Sequence, residues 1–357
     1  MRRGRVLLAV AVRLAIGSIL SAPGSLPTIQ NSYAQPPATP PEPVPTTTAE
    51  LADAWDQAYR VKNWPEAIRI GKLLSERTPG NSGFRYNLAC VYAQTGKLES
   101  SMASLKEAVR LGFDNVALLD SDGDLDPLRA DQNFMSLVET VSANRDRSQA
   151  QFQSLADAQI PLIWTPAGHD PEVPAPIIIA LHPYGSRAEW ILDYWKSTAE
   201  LRGAIVLAPR AVRAERDGFQ WGTIAETQYI VEQSFNLLKK QYAIDDAKIL
   251  LTGFSQGGYM AFNLGRLHGN VVTSVLPIAG QYDRELADPF EVPEEQRARF
   301  YVLIGTGDSS YRSNLIAIED LRSAGFDAQI REIEGLGHTF PPNHERELAD
   351  ALDYLWK

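Results

Sequence analysis

The chain has 357 residues, 44% of them hydrophobic, which is enough for a buried core in more than one domain and excludes a disordered or fibrous protein. Its formal net charge of −10 argues against nucleic acid and against an anionic membrane surface as partners. The single cysteine, Cys90, excludes a disulfide within the chain and a four-thiolate metal site.

The first 34 residues have the pattern of a secretion signal. A basic start, "MRRGR", precedes the apolar stretch "VLLAVAVRLAIGSIL", and small residues follow at Ser32-Tyr33-Ala34. This order predicts a signal peptide over residues 1–34 and an exported protein, periplasmic or secreted, that begins at Gln35. An uncleaved anchor is the alternative. Arg13 disfavours it, because a charge at bilayer depth costs about 3 kcal/mol.

A proline-rich linker, residues 35–48, separates this signal from a helical region at residues 49–145. Within the helical region two segments resemble each other, so that Tyr59 aligns with Tyr92 and Pro79 with Gly112. The spacing is close to the 34-residue tetratricopeptide period. The region resembles a small all-α tetratricopeptide-like domain, for which a protein partner is expected. An unrelated helical bundle is the alternative.

The second predicted domain covers residues 155–357, where apolar strands alternate with amphipathic helices. This alternation predicts an α/β fold with a doubly wound, mostly parallel sheet covered by helices on both faces. The predicted strands are "PLIWTP", "PIIIALHP", "AIVLAP", "KILLTG", "VTSVLPIA", "FYVLIG" and "DAQIREI".

The sequence "KILLTGFSQGGYM" places Ser255 between an apolar strand and a helix, in the pattern G-x-S-x-G. In that setting the pattern predicts a nucleophile elbow, a tight turn that exposes the serine hydroxyl above the strand ends. Gly253 and Gly257 fit, because residues two before and two after the serine must lack bulky side chains. A structural turn is the alternative role.

A serine nucleophile needs a base and an acid that orients the base. Asp308 follows the strand "FYVLIG", and His338 follows the last strand in a glycine-flanked loop. The order serine, acid, histidine is that of α/β-hydrolases, and all three would lie at one sheet edge. A helix N-cap and a surface loop residue are the alternative roles of Asp308 and His338. His344 is the rival base.

An oxyanion hole needs two backbone N–H groups aimed at one point. The residue after the nucleophile, Gln256, should supply one of them. The loop after "PIIIALHPYG" should supply the other, with Tyr184 as the first choice and Gly185 as the second. His182 in the same loop is expected to pack beneath it and fix its shape.

These motifs resemble the α/β-hydrolase superfamily, and specifically the small serine esterases of the phospholipase/carboxylesterase group. The resemblance covers residues 176–357 and is carried by "GFSQGG", "GTGD" and "GLGHTF". It implies a triad of Ser255, Asp308 and His338. The chain departs from the group at His182-Pro183, where a histidine–glycine pair is common, and at "SSYRSN", where a valine–proline often follows the acid. Polyester depolymerases, feruloyl esterases and dienelactone hydrolases therefore stay open as relatives.

The expected activity is carboxylic-ester hydrolysis through an acyl-enzyme on a small or polymer-borne ester. Trp221 and Tyr311 are candidates for the walls of the acyl site, with plain packing as the alternative for each. The five histidines lack metal-ligand spacing, so neither a metal nor an organic cofactor is expected. Two other functions are weighed: a peptidase of the same fold, and a non-catalytic adaptor that uses its helical repeats.

Overall fold

The computed structural model describes residues 47–215, 217–267, 271–284, 293–294 and 297–357. The predicted signal peptide and residues 35–46 of the predicted linker lie outside these ranges. Among the described helices, none is long and apolar enough to cross a membrane.

The helical region consists of pairs of consecutive helices, and the pairs repeat along the chain. Its helices are α1 (Thr48–Arg60), α2 (Trp64–Arg77), α3 (Ser82–Gln94), α4 (Leu98–Arg110), α5 (Val116–Ser121), a 3₁₀ helix (Gly123–Leu128) and α6 (Gln132–Asp157). The first pair begins at residues 48 and 64 and the second at residues 82 and 98. Corresponding helices are therefore one tetratricopeptide period apart, about 34 residues. The tetratricopeptide assignment itself stays a prediction.

Small residues line the contacts between these helices. Ala58, Ala67, Ala93 and Ala108 are all buried, as expected where helices approach closely. Cys90 is buried in the same core. Burial, together with the nearby Asp122 carboxylate, raises the pKa of the Cys90 thiol, so the thiol stays protonated and serves in packing.

Helix α6 runs across the boundary that the sequence predicts between the two domains. Its first half places Phe134 and Val141 in the core of the helical region. Its second half places Phe152 and Ala156 in the core of the α/β region. Phe152 meets Tyr229 edge to face at 5.9 Å, and the Tyr229 hydroxyl donates to Asp157 at 2.6 Å. The last turns of α6 thus pack as part of the α/β region, and the helix joins the two cores.

The α/β region is built on a mostly parallel central sheet, which confirms the predicted fold class. Its strands are β1 (Leu162–Trp164), β2 (Ala175–Leu181), β3 (Ile205–Ala208), β6 (Ile244–Phe254), β7 (Ser274–Ile278), β8 (Arg299–Gly305) and β9 (Ala328–Ile333). Their spatial order is β1-β3-β2-β6-β7-β8-β9, and β1 alone pairs antiparallel. A separate hairpin is formed by β4 (Arg213–Glu215) and β5 (Gly218–Gln220).

Both faces of this sheet are covered by helices. Along β2, Ile177, Ile179 and Leu181 point into one apolar cluster, and Ile178 and Ala180 point into the other. This two-residue alternation is the geometry of a strand buried on both faces. The covering helices are α7 (Ala188–Arg202), α8 (Ile224–Lys239), α9 (Gln256–Leu267), α10 (Tyr311–Ser323) and α11 (His344–Leu355).

The strand order brings the predicted catalytic loops together. The chain moves outward from β2 to β3, returns to β6, and then continues outward on the other side through β7, β8 and β9. β2 and β6 are therefore neighbours whose connections leave in opposite directions, and a crevice opens at their carboxyl ends. The predicted elbow follows β6, and the predicted oxyanion loop follows β2.

Candidate active site

Ser255 occupies the turn between β6 and α9 in a left-handed backbone conformation, with φ of 55°. Its N–H donates to the Ile278 carbonyl at 3.0 Å, which ties the turn to β7. A Cβ on Gly253 would lie 2.4 Å from the Gly257 backbone, and one on Gly257 would lie 2.2 Å from the Leu181 carbonyl oxygen. Only glycine fits at either position. A non-glycine residue with positive φ at such a turn is the strained geometry of a nucleophile elbow.

The structure brings Ser255, His338 and Asp308 into one hydrogen-bonded chain. His338 Nε2 lies 2.9 Å from Ser255 Oγ, and His338 Nδ1 lies 2.8 Å from Asp308 Oδ2. Because a carboxylate only accepts, Nδ1 carries the ring proton, which leaves the Nε2 lone pair directed at the serine. This is the geometry that a serine needs to lose its proton as it attacks.

Two further residues hold the acid, and the sequence reasoning missed both roles. Ser310 donates from its N–H and from its hydroxyl to Asp308 Oδ1, each at 2.8 Å. The N–H of Gly307 donates to the Leu336 carbonyl at 3.0 Å, which joins the acid loop to the histidine loop. A signal for the first role is present in "DSSY", because an aspartate often accepts from the backbone two residues later.

The ring of His338 is also held by an aromatic contact. Phe254, the residue before the nucleophile, stacks on it with ring centroids 5.3 Å apart. The imidazole is 45% exposed, whereas the Asp308 side chain is fully buried. The Asp308 carboxylate is therefore shielded from water, whereas the His338 ring is accessible from the cavity.

Of the three predicted oxyanion residues, Gln256 and Tyr184 lie where the prediction places them, whereas the N–H of Gly185 is bonded elsewhere. Gln256 is the first residue of α9, where backbone N–H groups have no partner within the helix. Tyr184 lies in the loop after β2, as expected for a second donor. The prediction for Gly185 is wrong, because its N–H already donates to the Phe219 carbonyl of β5 at 3.0 Å. That bond anchors the loop to the β4–β5 hairpin, which the sequence did not reveal.

Trp221 is 1% exposed and does not line the cleft, so the prediction that it walls the acyl site is wrong. Its indole N–H donates to the His182 carbonyl at 2.8 Å. Its backbone N–H and carbonyl bond to the side-chain amide of Gln256, at 3.0 and 3.1 Å. Trp221 therefore connects the elbow to the loop after β2 and fixes the distance between the two predicted oxyanion donors.

We expect Trp221→Phe to lower kcat on a small ester about tenfold with little change in KM, because a loosened loop misplaces the oxyanion donor. Steady-state kinetics on nitrophenyl acetate measures the two constants. Trp195→Phe is the matched control: that indole is also buried, and its N–H has no partner among the described residues. Equal losses in the two variants would contradict a positioning role for Trp221.

His182 is buried beneath the loop, as predicted, against the ring of Trp221 at 4.8 Å. Its Nδ1 donates to the Pro183 carbonyl at 2.9 Å, and its Nε2 has no partner among the described residues. Burial lowers the pKa of His182 from 6.5 to about 4, against the opposing effect of the Pro183 bond. The ring is therefore neutral at pH 7 and supports the loop without a charge.

This lowered pKa should make the folded protein sensitive to acid. The unfolded state binds the proton first, so stability that is present above pH 6.5 is lost as the pH falls toward about 4. The full effect is about 3 kcal/mol. We expect the free energy of unfolding of wild type minus that of His182→Phe to decrease as the pH falls from 7 to 4, because phenylalanine takes up no proton. Denaturant titrations of both proteins measure this difference, and a constant difference across the range would contradict it.

Tyr311 is not among the described residues that line the cavity beside Ser255, which corrects its predicted role as a wall of the acyl site. Its hydroxyl donates to Glu332 of β9, and its ring packs against the apolar cluster under α7 and α11. The cavity beside Ser255 has a volume of about 350 Å³. Residues that the sequence did not single out contribute to it, and they are Tyr259, Ala279, Gln281 and Ser309. Ala279 directly follows the end of β7, a position that could have identified it, and Gln281 lies two residues further along the same connection.

No protein-family model matches the chain. Among curated proteins, a stretch of 120 residues is 26% identical to the bifunctional acetylxylan esterase/xylanase XynS20E of Neocallimastix patriciarum. The stretch covers 33% of this chain and 17% of that protein, so the chain spans about a sixth of the length of this relative.

Similar solved structures include an uncharacterized protein from Bacillus cereus, 18% identical with a TM-score of 0.46, covering 87% of this chain and 99% of that one. Esterase PE8 is 17% identical with a TM-score of 0.41, covering 55% and 98%. A carboxylesterase from Mesorhizobium loti is 17% identical with a TM-score of 0.44, covering 51% and 90%.

Proposed function

We propose that the protein is a serine hydrolase that cleaves carboxylic esters through an acyl-enzyme intermediate. The observation that supports this proposal most is the continuous chain from Ser255 Oγ through His338 to the buried Asp308, with bonds of 2.9 and 2.8 Å. The left-handed backbone at Ser255 is the second support, because a strained serine at a strand end is poorly explained by packing alone.

The first half of the proposed reaction forms the acyl-enzyme. Ser255 Oγ attacks the ester carbonyl carbon while His338 Nε2 takes the hydroxyl proton, and Asp308 stabilises the imidazolium. Backbone N–H groups of Gln256 and Tyr184 stabilise the negative oxygen of the tetrahedral intermediate. The carbon–oxygen bond to the alcohol then breaks, and His338 gives its proton to the leaving oxygen.

The second half repeats these steps with water. His338 takes a proton from a water molecule, whose oxygen attacks the acyl carbon. The new intermediate collapses, the bond to Ser255 Oγ breaks, and the serine oxygen receives the proton back from His338. The products are a carboxylic acid and an alcohol, and the serine is regenerated. These steps require neither a metal nor an organic cofactor.

We propose a small or polymer-borne ester as the substrate. The segment between β7 and β8, residues 279–298, is too short for a domain-sized lid, which favours an open cleft. The relative from Neocallimastix patriciarum is named as an acetylxylan esterase, so an acetyl ester on a polymer is one such substrate. Export, and a protein partner for the helical region, remain proposals from the sequence.

A panel of nitrophenyl esters of increasing acyl length, with a nitroanilide of matched acyl group, tests the proposal. We expect ester hydrolysis by the folded protein, fastest for short acyl groups, and little cleavage of the anilide. Faster cleavage of the anilide would favour a peptidase. A folded protein that cleaves neither class would favour the non-catalytic adaptor.

A further inference from the structure

The cavity beside Ser255 contains polar groups that the proposed reaction does not use. Tyr259, Gln281 and Ser309 all line it together with Ser255 and His338. In the described part of the chain, the phenol, the amide and the hydroxyl of these three residues have no hydrogen-bond partner. Of the described residues around the cavity, Ala279 alone is aliphatic. The cavity therefore offers a substrate several hydrogen-bonding groups close to Ser255.

Tyr259 is held next to the nucleophile by the backbone of α9. Its N–H donates to the Ser255 carbonyl at 2.9 Å, so its backbone is held one helical turn from Ser255, and its side chain lines the cavity. Burial, followed by the charge of Asp283, raises the pKa of Tyr259. The phenol therefore stays protonated at neutral pH and can both donate and accept a hydrogen bond.

Gln281 is exposed, but its backbone is fixed on both sides. The side-chain amide of Asn314 donates to the Gly280 carbonyl at 2.8 Å. The N–H of Tyr282 donates to the hydroxyl of Ser313 at 3.3 Å. Both partners lie on α10, so this helix holds the backbone on either side of Gln281, whose side chain lines the cavity.

Ser309 lies between two residues whose side chains already form hydrogen bonds within the site. Asp308 before it orients His338, and Ser310 after it holds Asp308 at 2.8 Å. Its own hydroxyl is exposed and lies on the side of the cavity formed by the acid and histidine loops. His338 Nε2 must reach the leaving oxygen in order to protonate it, so the alcohol half of an ester lies on this same side.

We propose that Tyr259, Gln281 and Ser309 bind the free hydroxyl groups of a polyhydroxylated alcohol, such as a sugar, whose ester Ser255 attacks. This inference rests on the proposed function. An aliphatic alcohol in the same place would cover three polar groups without pairing them, which disfavours it. A sugar ring offers several hydroxyl groups that donate and accept, and so it can satisfy all three.

The test compares kcat/KM for a monoacetylated xylo-oligosaccharide with kcat/KM for phenyl acetate and hexyl acetate. We expect the wild type to prefer the sugar ester to hexyl acetate. Tyr259→Phe, Gln281→Leu and Ser309→Ala should each lower the ratio of sugar ester to phenyl acetate about three- to tenfold, as expected for one lost hydrogen bond. Tyr229→Phe, which removes a hydroxyl on α8 outside the cavity, should leave the ratio unchanged.

The outcomes separate this inference from the function on which it rests. Hydrolysis of phenyl acetate without preference for the sugar ester would overturn the inference alone, as would variants that leave the ratio intact. A folded wild type that hydrolyses none of the three esters would overturn the proposed function and the inference together. A falling ratio in all three variants, with circular dichroism unchanged, supports the sugar subsite.

Discussion

Ser255→Ala should abolish ester hydrolysis, with a loss in kcat of about a million-fold and no change in fold. The expected loss is large because the serine oxygen forms the covalent bond in the proposed reaction, and alanine has no nucleophile. The fold should persist, because the positive φ of 55° belongs to the backbone turn and the Ser255 N–H still donates to Ile278. Nitrophenyl acetate hydrolysis gives the rate, and thermal unfolding checks the fold.

A fluorophosphonate probe sharpens this test. It should label wild type on Ser255, as shown by mass spectrometry of the labelled peptide, and should fail to label Ser255→Ala. Ser323→Ala, an exposed serine at the end of α10, is the matched control and should behave as wild type. Labelling of a different serine in wild type, or hydrolysis by Ser255→Ala near the control rate, would refute the role of Ser255.

The sequence was most informative where one element buries its side chains on both faces. "PIIIAL" and "FYVLIG" were predicted as strands and form β2 and β8, because an uninterrupted apolar run fits a parallel strand under two helical layers. The positions of Ser255, Asp308 and His338 at strand ends followed from that same pattern. Parallel strands place their carboxyl ends at one edge, so local placement was enough to predict a shared site.

Contacts between segments that lie far apart in the sequence left no comparable pattern of apolar residues. The β4–β5 hairpin is three residues long in each strand and polar, so it has no apolar alternation to detect. The Gly185 N–H donates to the Phe219 carbonyl of this hairpin, which removes a predicted oxyanion donor, and only the folded chain reveals that pairing. The burial of Trp221 was hidden for the same reason, since an aromatic residue in a glycine-containing loop can face either the cleft or the core.

The predicted boundary between the two domains falls within one continuous helix. The sequence placed the helical region at 49–145 and the α/β region at 155–357, whereas α6 is continuous from Gln132 to Asp157. Its polar segment around "NRDRSQAQ" resembles a linker in composition but forms a helix that is mostly exposed after the buried Asn144. Phe152 and Ala156 follow that segment, and their spacing of four residues on one helical face indicates that α6 packs on a second core.

Asp308→Asn should lower kcat about ten-thousand-fold, although it changes one atom and keeps the side-chain shape. Asp308 Oδ1 accepts two hydrogen bonds from Ser310, so the asparagine oxygen will occupy that position and its NH₂ group will face His338. His338 Nδ1 must then accept, and the ring proton moves to Nε2. A protonated Nε2 cannot take the proton from Ser255, and the base is lost while every residue stays in place.

His338→Ala sets the scale for this prediction, because it removes the base entirely and should match Ser255→Ala. The double variant Ser255→Ala/His338→Ala should be no slower than either single variant, since the residues act as a unit. Asp193→Asn, an exposed aspartate on α7, is the matched control for the chemical change and should retain wild-type kcat. Steady-state hydrolysis of nitrophenyl acetate measures kcat for each of these variants. If Asp308→Asn stays within tenfold of wild type, Asp308 does not set the tautomer of His338, and the acid must be sought elsewhere.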